Sequence, residues 1–289
     1  MERERLIKRT RRKSLVIKES GRSTDFITPS FGHGCLFNCT YCYMKRNKHE
    51  GLSVAENIDE ILRKVDKHCQ TEGVEKPNQT HPYYTTYDIG CNEDLALHLK
   101  YYDWHKMFDF FKNHPKAMAS FATKYVNEDL LEYNPQGKVR IRFSLMPQKY
   151  SSILEPKTTP IDLRIKAIDR FITAGYDVHI NFSPVIVEDD WLIEYGELFR
   201  QVQGIVDNKD KVKCEVIFLT HNENKHKYNL DKNLPGEDML WKPEIQEPKI
   251  SQYGGDNLRY RYDIKSGYIK EWKKLHGQII PWNTIRYIF

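Results

Sequence analysis

Cys35, Cys39 and Cys42 lie within one short stretch, Gly34-Cys35-Leu36-Phe37-Asn38-Cys39-Thr40-Tyr41-Cys42-Tyr43. The C-x3-C-x2-C spacing lets three thiolates converge from a single loop, so any fold of this chain must bring that loop to one point. Three readings are open. A four-iron cluster would keep one iron without a protein ligand, able to chelate a small molecule. Ordinary four-iron electron carriers instead bring a fourth cysteine. A structural zinc ion takes four ligands and would draw on His33 or His49. The third reading is unrelated thiols.

The chain has 289 residues, 39% hydrophobic and 29% charged, enough for one large α/β barrel or two modest domains with a real core. No apolar run approaches the ~20 residues of a membrane span, and no signal-peptide segment opens the chain. With six cysteines, three of them in the loop, a reducing compartment is expected: cytoplasmic, or the host cytoplasm if the protein is viral, with no membrane partner. Net charge is only +5, but basic residues cluster at both ends. Arg3, Arg5, Lys8, Arg9, Arg11, Arg12 and Lys13 open the chain. Arg259, Arg261 and Lys265 stand near its end among Tyr253, Tyr260, Tyr262 and Tyr268. Cations interleaved with aromatics suit phosphate neutralisation and base stacking; a solvated basic face accounts for them equally.

Strand-like and helical patterns alternate. Asp25–Pro29 reads as a strand ending at the cysteine loop. Ser53 and Glu56 form a capping box ahead of a helix to about His68. Strand Tyr83–Ile89 leads to Cys91, followed by a helix over about Asp94–Lys112. Strands Ala117–Ala122 and Val139–Leu145, helix Ile161–Ala174, strand Val178–Phe182, helix Trp191–Val202 and strand Cys214–Leu219 follow. This alternation predicts a parallel sheet with crossover helices, with functional groups at strand C-terminal ends. Residues 220–255 read as a long loop, then a helix near Lys265–Leu275 and a strand Thr284–Phe289. The expected domains are a basic arm (1–22), a barrel (23–220) and a terminal element (221–289).

Gly34 before the first cysteine and Tyr43 after the third make the loop resemble that of radical S-adenosylmethionine (SAM) enzymes. From about Thr28 onward the chain more specifically resembles the spore photoproduct lyase family, which acts on a thymine-derived lesion in DNA. The resemblance is carried by Tyr41 and Tyr43, Gly90-Cys91-Asn92-Glu93-Asp94, Thr123-Lys124-Tyr125, Arg142-Phe143-Ser144, Glu155-Pro156, Thr159-Pro160, Arg164-Ile165 and Ala174-Gly175-Tyr176. It implies an α/β fold, a partial (β/α)6 radical SAM barrel with a C-terminal aromatic-basic hairpin. It implies a [4Fe-4S] cluster on Cys35, Cys39 and Cys42, with SAM on the open iron. Lys124 would meet the SAM carboxylate, with Ser144 and Arg164 also serving the cofactor. Cys91 would be the hydrogen donor, and Tyr41 and Tyr43 would relay hydrogen or electrons. DNA (through Arg259, Arg261 and Lys265) and an external electron donor are the implied partners.

Two departures bear on the substrate. Glu93 stands where the family has a small hydroxyl residue, and Met146-Pro147 where it has Asn. The chain is also expected to carry a basic arm in place of a folded N-terminal extension. A carboxylate beside the substrate suits an ammonium group, since a desolvated charge needs a partner. That reasoning favours an isomerase moving an aminoacyl substituent, such as glycyl, on modified thymidine in phage DNA hypermodification. The alternatives are repair of a thymine dimer by carbon–carbon bond cleavage and, remotely, a non-enzymatic iron–sulfur DNA-binding protein. The alternative for Cys91 is a buried small hydrophobe, and Cys69 and Cys214 read as packing residues.

Overall fold

A computed structural model describes residues 7–44, 51–250 and 255–289. The chain divides into two compact units. One comprises Met1–Leu36, His49–Phe143 and Arg170–His179; the other comprises Phe37–Lys48, Ser144–Asp169 and Ile180–Phe289. The main sheet has eight strands.

In the first unit, strands Lys18–Glu19, Phe26–Ile27, Thr85–Asp88, Ala117–Thr123 and Val139–Ser144 are neighbours in that order. The first pair is antiparallel and the rest are parallel, with Asp88 opposite Ser120 and Thr123 opposite Phe143. The strands therefore end at a common edge, as the alternating pattern requires. Ala117–Thr123 is apolar because parallel strands are covered on both faces, and all but Ala122 are buried. Val139–Ser144 is buried throughout despite two arginines. Its charges are paired: Arg140 with Asp177 at 2.7 Å and Arg142 with Asp88 at 2.6 Å. A smaller sheet places Leu52–Ala55 between Ile7–Thr10 and Gly32–Gly34.

In the second unit, strands Asp177–Val185, Lys213–Phe218 and Thr284–Ile288 follow one another in the sheet. Helices Trp191–Ile205 and Tyr262–Ile279 pack through Trp272, whose ring meets those of Trp191, Tyr195 and Phe199. Gln246–Ile250 and Asp256–Tyr260 form the expected antiparallel hairpin, extended by Thr220–His221. No helix of the described residues is long and apolar enough to cross a membrane.

Several local expectations are corrected. Ser53 caps nothing, because it lies inside a strand; helix Ile58–Gln70 starts after Asn57, whose side-chain oxygen accepts the Arg12 amide at 2.7 Å. The helix expected over Asp94–Lys112 is broken, since Asp103 starts a new helix, Trp104–Asn113, by accepting the Lys106 amide. The described part of the basic arm is no loose tail. Ile7–Thr10 is a strand, Arg11 pairs with Glu60, and the Arg12 guanidinium donates to Ser30, Phe31 and Ser53 backbone oxygens. Residues 220–255 are not one loop, since helices Glu223–Asp231 and Glu237–Leu240 form there. His49 and Tyr253 lie outside the described residues.

Candidate active site

Two aspartates shape the strand ends of the first unit. Asp88 closes its strand, accepting the Gly90 amide at 3.0 Å with one oxygen and Arg142 with the other. This turn delivers Cys91, half-buried, just past the strand end. Asp94 then caps the short helix Leu95–His98 and also takes the Thr123 hydroxyl at 2.7 Å and the Lys124 amide at 2.8 Å. Lys124 is thereby fixed at the end of a buried strand, with its side chain half-buried.

The start of the cysteine loop belongs to the same unit. The Gly34 amide donates to the Asn92 carbonyl at 3.1 Å, and the Leu36 amide donates to His98 Nε2 at 3.3 Å. Gly34 has φ +100°, a left-handed conformation that suits glycine, and a Cβ there would stand 2.2 Å from the Gly51 carbonyl oxygen. Glu93 is placed differently from expectation. Its side chain and that of His98 have 0% exposure. Its carboxylate accepts from His98 Nδ1 at 3.0 Å and from the Tyr102 hydroxyl at 2.8 Å to each oxygen. Burial, then the Glu93 charge, pushes the Tyr102 phenol above the ordinary tyrosine range. Burial lowers the Arg12 guanidinium, which the Tyr102 and Glu93 charges counteract. Glu93 is thus satisfied inside the protein rather than offered to an ammonium group.

The rest of the loop is held within the second unit. The Cys42 amide donates to the Cys39 carbonyl at 3.1 Å, a turn that the two-residue spacing allows. Thr40 donates its amide to Leu154 and its hydroxyl to the Pro235 carbonyl, at 2.9 Å each. Asn229 donates to the Thr40 carbonyl at 3.0 Å, and Lys225 to the Tyr41 carbonyl at 3.4 Å. Glu237 anchors this brace, accepting from Asn229, His221 and His226 at 2.5, 2.8 and 2.6 Å. Against burial, which would raise it, those hydrogen bonds hold the Glu237 carboxyl below its usual range. Both imidazoles face one Glu237 oxygen at hydrogen-bond separation, so the trio serves as a polar brace for the loop. Sequence reasoning missed Lys225, Asn229 and Glu237; the Leu234-Pro235-Gly236 turn, with Gly236 at φ +76°, was the available signal.

Tyr41 is half-buried and its hydroxyl donates to Glu155. Burial, then the Glu155 charge, raises its phenol well above the ordinary range. Tyr43 is 47% exposed. None of the six cysteines is disulfide-bonded; Cys39 is buried, and Cys35 and Cys42 are partly exposed. Burial raises the Cys69 and Cys214 thiols, which fits packing residues.

Other expected site residues face elsewhere. Arg164 has 0% exposure and donates to the Thr159 and Ser144 carbonyls, Thr158 Oγ1 and Glu155 Oε2, so its guanidinium is fully committed inside the unit rather than offered to a cofactor. Replacing it by Leu leaves Glu155 buried without its counter-charge and should cost about 3–5 kcal/mol of stability. Urea unfolding would measure this, and an unchanged midpoint would contradict it. Lys265 is buried, its ammonium over the Phe289 ring at 4.6 Å, so it is not presented to DNA. Arg259 and Arg261 are paired with Glu247 and Asp263 at 2.8 Å each. Ser144 ends its strand buried, receiving Asn181 at 3.5 Å, while Asn181 Oδ1 has no hydrogen-bond partner among the described residues.

A mixed α/β sheet with a three-cysteine loop and a half-buried thiol at a strand end is the arrangement of radical SAM enzymes. The model of the spore photoproduct lyase family matches residues 2–289, and the chain belongs to that family. The spore photoproduct lyase of Bacillus subtilis (strain 168) is 26% identical over 258 residues, covering 87% of this chain and 72% of that protein. That of Geobacillus sp. is 28% identical over 203 residues, covering 67% and 57%. That of Clostridium acetobutylicum is 26% identical over 239 residues, covering 80% and 66%. The chain therefore spans less than two-thirds of the length of two of these relatives. Among solved structures, a spore photoproduct lyase double mutant with bound AdoMet and dinucleoside spore photoproduct superposes with TM-score 0.86 at 21% identity, covering 98% of this chain and 82% of that one. A complex of spore photoproduct lyase with the dinucleoside alone gives TM-score 0.86 at 22% identity, with the same coverage.

Proposed function

We propose that this chain repairs a thymine dimer of the spore photoproduct type in DNA by carbon–carbon bond cleavage, as a radical SAM lyase. The observation that carries the reading is the pairing of a braced three-cysteine loop with Cys91 at a strand end, in a chain the family model matches almost throughout. The aminoacyl-thymidine isomerase favoured on Glu93 loses its footing, because that carboxylate is buried against His98 and Tyr102.

The donor set fits a cluster: three thiols on one loop, none in a disulfide. Cys35, Cys39 and Cys42 would hold [4Fe-4S]. With SAM bound, that group supplies a carbon-centred radical able to take one hydrogen atom. Lys124, fixed by Asp94, would offer a cation to the SAM carboxylate. Cys91, whose S–H bond is weak, would return a hydrogen atom to the product radical. Tyr41 and Tyr43 flank the third cysteine in support of that relay. An external donor would supply electrons, and DNA carrying the lesion would be the substrate.

Lys124→Ala should weaken SAM binding about tenfold or more, the worth of one charge-assisted hydrogen bond. Equilibrium binding of SAM to anaerobically reconstituted protein measures it; an unchanged affinity would remove Lys124 from the site. The repair reading is tested by offering reduced enzyme and SAM a dinucleoside spore photoproduct and following its conversion to two thymines.

A further inference from the structure

His98 touches the cysteine loop although it lies far along the chain. The Leu36 amide, one residue past Cys35, directs its N–H to His98 Nε2 at 3.3 Å. A backbone amide nitrogen only donates, so Nε2 is the bare accepting nitrogen and the imidazole proton sits on Nδ1. Nδ1 faces Glu93 Oε2 at 3.0 Å, and an ionised carboxylate only accepts. The two contacts thus require one and the same tautomer. Glu93 cannot swing away: Tyr102 donates to both of its oxygens, and the Gly32 backbone closes over the pair. A Cβ on Gly32 would stand 2.1 Å from the Tyr102 hydroxyl and 2.2 Å from Glu93 Oε1.

From this geometry we infer that Glu93 and His98 are a positioning pair for the cysteine loop. Glu93 sets the His98 tautomer, and His98 pins the backbone beside Cys35. The Gly34 amide, held by the Asn92 carbonyl, pins the other side of Cys35. The thiol therefore projects from a backbone fastened on both flanks, the service that outer groups commonly give metal ligands. The carboxylate at position 93 is explained by this internal role, without a cationic substrate. The inference rests on the cluster reading only for its consequence for iron, because the pair itself is a property of the protein.

The test separates the two. In iron-free wild-type protein, 15N NMR of the imidazoles should show His98 protonated at Nδ1, with Nε2 as acceptor. Hydrogen exchange at the Leu36 amide should be about five- to tenfold slower in wild type than in His98→Leu, the worth of one hydrogen bond. His98→Gln, whose amide oxygen reaches the Nε2 position, should restore that protection. After reconstitution, His98→Leu should lose iron to a chelator about tenfold faster than wild type, and His98→Gln should not. A proton on Nε2 in the wild type overturns the inference even if the variants fail to fold. So does equal Leu36 exchange in wild type and His98→Leu, or a folded His98→Gln that exchanges like His98→Leu. Failure of wild-type protein to take up iron and sulfide would sink the cluster reading while leaving the tautomer result standing.

Discussion

Replacing Cys35, Cys39 and Cys42 together by Ala should abolish the ~400 nm absorption of thiolate-bound iron and reduce SAM cleavage to background. The fold should survive this change. Contacts that fasten the loop, among them Gly34 to Asn92, Leu36 to His98, Thr40 to Leu154 and Pro235, and Asn229 to Thr40, use backbone or other side chains. Because Cys39 is buried, the triple change should still cost stability, on the order of 1–3 kcal/mol. Absorption spectra, iron and sulfide content and a thermal melt on one preparation check both halves. A surviving absorption band, or zinc in place of iron in protein purified without oxygen, would contradict the cluster reading.

Replacing Cys91 by Ala should separate SAM consumption from correct repair. The backbone that positions this residue, the Asp88–Gly90 turn and the Asn92 carbonyl held by Gly34, does not depend on the sulfur. SAM cleavage should continue, but without a nearby S–H bond the product radical would be quenched by other donors, releasing mis-quenched thymine adducts in place of intact thymines. Mass spectrometry of the dinucleoside products decides. An unchanged product distribution would return Cys91 to a packing role.

What the sequence revealed and what it hid follow a physical line. Strands were legible where parallel pairing buries both faces and writes a continuous apolar run, as in Ala117–Thr123. The places of Cys91 and Lys124 just past strand ends were legible because the pattern that sets them is local. Val139–Ser144 was found as a strand, but the depth of Arg140 and Arg142 was not, because their partners Asp177 and Asp88 are remote in sequence. Arg164, expected to serve the cofactor, is spent on Glu155, Thr158 and two carbonyls, and Lys265, expected to meet DNA, lies over Phe289. Glu93 is the most instructive error. Its neighbours in sequence suggested a substrate contact, while His98, Tyr102 and Gly32 close around it in space. Residues 220–255 looked like a polar loop because their polar groups are spent on bracing the cysteine loop, a pattern with no periodicity to read.

The central claim is that the enzyme acts on a thymine dimer and not on an aminoacylated thymine. Anaerobically reconstituted, reduced protein with SAM should be offered two oligonucleotides, one carrying a spore photoproduct and the other an aminoacylated 5-aminomethyl-uracil. The account predicts conversion of the photoproduct to two thymines and no change in the aminoacylated strand. Turnover of the aminoacylated strand alone, or of neither, would contradict it.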